Sequence, residues 1–146
     1  MERLPTKQAL SARNVQIHDQ LCVFCGEYVE TSEHIFISCH FAQATWLNLA
    51  TWWGIPPIIA FGLKDLLTIH GSSSGSEKKW KAIHAVVLVA IWNIWKSRND
   101  ALFRQLTPNW VKMLDEIKAM AYLWIKSRSK VTSLTWEDWS RFKFGD

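Results

Sequence analysis

Between Asn14 and Leu63 the chain has no lysine and no arginine, while Asp19, Glu27, Glu30 and Glu33 leave that stretch at −4. Such a segment repels a phosphate backbone, so electrostatic attraction to nucleic acid is excluded there. Basic residues gather instead from Lys64 to Asp146, where fourteen stand against eight acids within an overall charge of +4. Paired carboxylates are also scarce. No Asp-Asp occurs, and the acidic dipeptides Asp115-Glu116 and Glu137-Asp138 read as solvated helix faces. Polymerase chemistry needs clustered carboxylates holding two metal ions, and a nucleotide site of the phosphate-loop type needs a glycine-rich turn. Neither is present, and no catalytic constellation for polymerase, nuclease or RNase H chemistry can be assembled. The residues offer no small-molecule substrate site.

Long apolar runs are missing too. The longest, Ala85 to Trp95, is interrupted by Asn93 and falls well short of the roughly 20 residues of a membrane-spanning helix. Met1 to Arg13 is polar and basic, without the apolar centre of a signal peptide. The expectation is a soluble intracellular protein with no membrane partner, with nucleus and cytoplasm both open.

Cysteine is limited to three residues, all between Cys22 and Cys39. An odd number cannot complete a disulfide framework, and in a reducing compartment clustered thiols serve more often as metal ligands. The spacing is Cys22-x2-Cys25-x8-His34-x4-Cys39. Two cysteines two residues apart form a knuckle whose thiolates converge, and Gly26 permits the tight turn after it. A returning histidine and cysteine complete a tetrahedron. Four protein ligands leave no open position, so the expected cofactor is one structural zinc ion. His40 adjoins Cys39 and could replace it. Adjacent residues rarely both face one ion, and Cys39 is the expected fourth ligand.

The rest of the chain reads as helix, so the expected fold is mostly α: a small zinc knuckle among helices, followed by a helical C-terminal half. Thr6 can cap a short helix over Leu4–Ala12, and Phe41–Trp53 forms another, stopped by Gly54, Pro56 and Pro57. Ile58–Leu67 is ambiguous. Residues 71–76, Gly-Ser-Ser-Ser-Gly-Ser, have linker composition and divide an N-terminal zinc-binding domain (1–70) from a helical, basic, Trp-rich segment (77–146). Glu77–Arg104 is expected as a long buried helix. Thr107-Pro108 is the expected start of the next, with Val111, Leu114, Ile117, Ala121 and Trp124 recurring at helical spacing. Trp136–Phe142 is expected as a last short turn or helix. Ten tryptophans are a heavy load, and Trp46, Trp52, Trp53, Trp92 and Trp95 are expected in the core, as are Phe24 and Phe36 around the metal.

Several runs together carry a family resemblance. They are Arg3-Leu4-Pro5-Thr6, Lys7-Gln8-Ala9-Leu10, the ligand set, Glu30-Thr31, Phe41-Ala42 and Trp46. This pattern resembles the zinc-binding domain of plant non-LTR (LINE-type) retrotransposon reverse transcriptases. Ile91-Trp92-Asn93-Ile94-Trp95-Lys96-Ser97-Arg98-Asn99, with Phe103, is similar to the segment that follows it in those elements. The resemblance spans most of residues 3–104. His40 stands where the family often has proline. The likeness implies zinc at Cys22, Cys25, His34 and Cys39, and descent from a retroelement that copies RNA into DNA. The chain then reads as a non-catalytic, truncated polyprotein piece.

Two functions follow from this reading. One is binding of RNA or single-stranded DNA by the basic half, with Lys96, Arg98, Lys126, Arg128 and Lys130 as the candidate contacts. The other is a structural or protein-interaction module, with other retroelement proteins as partners and exposed tryptophans as contact surface.

Overall fold

Each helix begins and ends where local chemistry allows it. In a computed structural model, which describes residues 4–68, 77–128 and 134–144, Thr6 opens α1 (Lys7–Ala12) by accepting a hydrogen bond from the Ala9 N–H at 3.1 Å. After the cysteine segment, a π-turn over His34–Ser38 leads directly into α2 (His40–Trp53). Gly54 ends α2 in the left-handed region at φ +70°, and the N–H groups of Gly54 and Ile55 return to the carbonyls of Thr51 and Ala50. The ambiguous stretch after it contains only one helical turn and a half, α3 (Leu63–Leu67), with Leu63 and Leu66 turned inward.

The Val86–Val89 run is helical, inside α4 (Glu77–Phe103), a helix about 40 Å long. Helix α5 (Trp110–Arg128) packs along it. The connection turns on Gln105 at φ +56°, and the Leu106 N–H closes onto the Asp100 carbonyl. Helix α5 starts later than Thr107-Pro108. Its first turn is held by Asn109, whose Oδ1 accepts the Lys112 N–H at 3.1 Å, a cap Thr107 is too far upstream to supply. The buried face is correspondingly displaced. Met113 joins Leu114, Ile117 and Ala121 inside, while Val111 is exposed. Helix α6 (Trp136–Ser140) is capped by Thr135.

Among the described residues no strand forms beyond an isolated antiparallel bridge between Leu21 and Val29. Side chains from either side of residues 71–76 share one core, in which Phe36, Trp46, Leu49 and Trp53 meet Ile83, Val87, Ile94, Ile117 and Trp139. The 71–76 segment itself lies outside the described residues, as does His70.

Three of the tryptophans serve as both bulk and donor. Trp46 donates to the Phe36 carbonyl at 2.7 Å, Trp139 to the Lys118 carbonyl and Trp52 to the Ser140 carbonyl, each at 2.9 Å. Trp52, Trp139, Phe142 and Phe144 form an edge-to-face cluster that fastens the C-terminal turn to α2 and α5. Trp92, expected inside, is half exposed. It lies on the outer stripe of α4, opposite the buried Ile83, Val87 and Ile94. Trp139 is the anchor of the aromatic cluster, fully buried and hydrogen-bonded. Trp139→Ala should therefore cost about 3–5 kcal/mol, measured as a lowered midpoint in urea unfolding.

Candidate metal centre

The hairpin from Leu21 to Val29 presents the first two cysteines. Its arms are held by the Leu21–Val29 bridge and by the Cys22 N–H bonded to the Tyr28 carbonyl at 2.7 Å. Gly26 at φ +68° turns the chain back, and its N–H closes onto the Cys22 carbonyl at 2.8 Å. The knuckle also aims backbone donors at sulfur. The Phe24 N–H lies 3.4 Å from Cys22 Sγ, and the Glu27 N–H lies 3.5 Å from Cys25 Sγ. Such bonds stabilise thiolates.

The other two residues come from the π-turn. Thr31 Oγ1 accepts the His34 N–H at 3.0 Å, and the Cys39 N–H reaches the His34 carbonyl five residues back at 2.8 Å. That wider turn brings His34 and Cys39 to the same point. The sulfur atoms of Cys22 and Cys39 are 3.9 Å apart, Cys25 Sγ is 3.3 Å from His34 Nε2, and all four donor atoms lie within 4.8 Å of one another. Zinc–sulfur bonds of about 2.3 Å in a tetrahedron put sulfurs about 3.8 Å apart, so the spacing fits. His40 is exposed and outside the cluster, and Cys39 is buried within it.

The surroundings suit a metal too. His34 Nδ1 lies 3.3 Å from Ser38 Oγ. With Nε2 given to a metal, Nδ1 keeps the proton and donates it to Ser38, which fixes the ring. Phe24 stacks on Phe41 with centroids 4.1 Å apart, and the Tyr28 ring lies over His34 at 5.4 Å. Phe36 is wholly buried, whereas Tyr28 is mostly exposed. The Cys22 and Cys39 thiols lie in hydrogen-bonding contact. The hydrogen bond from Cys39 holds Cys22 down to about 5 against the opposing effect of burial. That same bond and burial push Cys39 far up.

Residues 1–46 match the family described as zinc-binding in reverse transcriptase. No curated protein and no solved structure matches the chain. The matched family is a zinc-binding one rather than a catalytic one, and together with the donor cluster it assigns the chain one structural zinc ion. The matched residues cover α1, the knuckle, the π-turn and the first half of α2.

The basic residues expected to meet nucleic acid do not share one environment. Lys96, Lys126 and Arg128 are exposed, each over an aromatic ring: Trp92 at 5.6 Å, Tyr122 at 5.3 Å and Trp124 at 5.2 Å respectively. Lys130 lies outside the described residues. Arg98 corrects the expectation of a surface cation. It is 3% exposed, its Nε and Nη2 donate to the carboxylate of Glu30 at 3.0 and 2.7 Å, and its guanidinium covers Trp95. A guanidinium committed in this way is not available to phosphate.

Glu30 is corrected with it. Grouped by sequence with an acidic surface loop, it is fully buried, whereas Glu27 and Glu33 remain exposed. One signal for this was present in the sequence. Ile83, Val87, Ile94 and Arg98 continue one helical stripe, so the arginine falls on the buried side of α4.

One zinc per chain is expected in protein purified without chelator. Cys39→Ala should remove it and His40→Ala should retain it, as read by metal analysis after gel filtration. Zinc should also dissociate as pH falls, because protons compete for the thiolates and the imidazole.

Proposed function

We propose that Cys22, Cys25, His34 and Cys39 hold a single zinc ion that folds the N-terminal module. We further propose that the chain is a non-catalytic, RNA-binding piece of a non-LTR retroelement polyprotein. The observation that carries the zinc part is the convergence of four donors from two separate turns at tetrahedral spacing. Closed coordination leaves no site for water or substrate, so the ion's work is structural.

Support for RNA binding comes from where charge is placed. Zinc with three thiolates and a neutral imidazole carries −1, and Asp19, Glu27 and Glu33 are exposed near it in a stretch without lysine or arginine. The zinc module is therefore a poor phosphate surface. The exposed cations of α4 and α5, Lys96, Lys126 and Arg128, each lie against an aromatic ring. Cations neutralise phosphates, and unstacked bases pack on aromatic faces, which favours a single strand over a duplex.

A specific feature favours the second reading, a protein-interaction module. An apolar groove of about 380 Å³ runs beside α2, lined by Ile37, Trp46, Leu47, Ile58 and Leu66. Nearby, Ile59 and Phe61 are 83% and 85% exposed.

Filter binding of the full chain to single-stranded RNA at several salt concentrations separates the two readings. Affinity should fall steeply with salt, at about −0.7 in log–log slope per phosphate contact. Replacing Lys96, Lys126 and Arg128 with Gln should weaken binding and reduce the slope by about 2. Absence of RNA binding, together with salt-insensitive capture of a protein partner that Phe61→Ser abolishes, would establish the second reading instead.

A further inference from the structure

The zinc module as the family match delimits it, residues 1–46, contains a buried charge whose partner lies outside it. Glu30 sits at the centre of the module, between the Cys22–Cys25 knuckle and the His34–Cys39 turn. Its backbone N–H bonds to the Gln20 carbonyl at 2.9 Å and its carbonyl accepts the Gln8 N–H at 3.1 Å. Its carboxylate, fully buried, takes the Lys7 N–H on Oε1 at 2.8 Å. The remaining capacity is filled from α4. Arg98 Nη2 reaches Oε1 at 2.7 Å and Nε reaches Oε2 at 3.0 Å, in a bidentate pair.

Arg98 is itself held from two further sides. Asn99 Oδ1 accepts its Nη1–H at 2.8 Å, and its guanidinium lies 4.5 Å from the centre of the Trp95 ring. Trp95 in turn stacks on Phe36, with centroids 6.1 Å apart. Phe36 belongs to the π-turn that begins at His34. One end of α4 therefore grips the module on both sides of His34, at Glu30 before it and at Phe36 after it. A buried carboxylate without its counter-ion is strongly unfavourable, so docking of Arg98 favours this path for the segment carrying Glu30.

We propose that Arg98 is a positioning residue of the zinc centre: through Glu30 it holds the knuckle and the His34 turn in register, so zinc binding and docking of α4 are linked. The inference rests on the reading that the four donors hold zinc. Linkage is reciprocal. Zinc bound at the module favours the docked helix, and the docked helix lowers the ordering cost of zinc binding.

The test uses the full chain and competition for zinc with a chromophoric chelator. Arg98→Met keeps the aliphatic stem and removes the charge, and it should weaken zinc binding by roughly tenfold or more. Glu30→Gln should do the same. The double variant Glu30→Gln with Arg98→Met should bind zinc no more weakly than the weaker single variant, because both residues act through one contact. Trp139→Ala, which loosens the distant aromatic cluster, should leave zinc affinity within about twofold, separating positioning from general destabilisation. A second measurement needs no variant. Amide exchange in wild-type protein should show residues 94–99 losing protection when chelator removes zinc, while residues 113–121 of α5 keep theirs. If wild-type protein binds no zinc, both the zinc reading and this one fall. If it binds zinc, but Arg98→Met binds equally well or residues 94–99 keep full protection without the metal, this inference alone is overturned.

Discussion

A carboxylate removed from water must find compensation nearby, and in this protein that requirement falls on Glu30. Three donors meet it: one backbone N–H from the start of α1 and two guanidinium nitrogens from α4. The three elements so joined are far apart in sequence. Because the pair is desolvated, losing either partner costs more than the pair itself contributes. The interaction brings the start of α1, the segment after the knuckle and α4 together at one carboxylate.

The zinc cluster solves a neighbouring problem. The segment from Leu21 to Cys39 has a single isolated bridge and one irregular turn, and so little regular secondary structure to hold its path. A bound ion ties the knuckle to the π-turn, and Phe36 of that turn packs in one core with Phe41 and Trp46 of α2. The π-turn is part of this arrangement. Its five-residue step carries the chain from His34 to Cys39 with both donors on one side, and α2 begins immediately afterwards with Cys39 as its first cap. Trp46 fastens α2 back to the turn through the Phe36 carbonyl.

Electrostatics divides the surface along different lines from the chain. The acidic stretch is less acidic than its composition, since Glu30 is neutralised internally, and the basic half is less basic, since Arg98 is spent on it. The remaining contrast is between an exposed Glu27 and Glu33 near the metal and exposed cations on the outer helices, several resting on aromatic rings. Those rings hold the cations at fixed places on the surface at modest energetic gain.

The sequence by itself determined the helical class, the helix caps at Thr6 and Gly54, and the four donors of the metal cluster, because each depends on residues close together in the chain. A knuckle spacing, a capping threonine and a stripe of apolar residues are local patterns with local physical causes. At the start of α5 the sequence pointed to Thr107-Pro108, whereas the fold uses Asn109 as the cap, two residues later. Trp92 and Trp95 lie in one apolar run, and the direction of the core separated an exposed ring from a half-buried one. The helical stripe of α4 put Arg98 on its buried side, but only the tertiary structure decided that Glu30 is its partner. Charge counting treats every ionised side chain as solvated. Burial is a property of the assembled fold, and the partner that makes a buried charge tolerable was sixty-eight residues away.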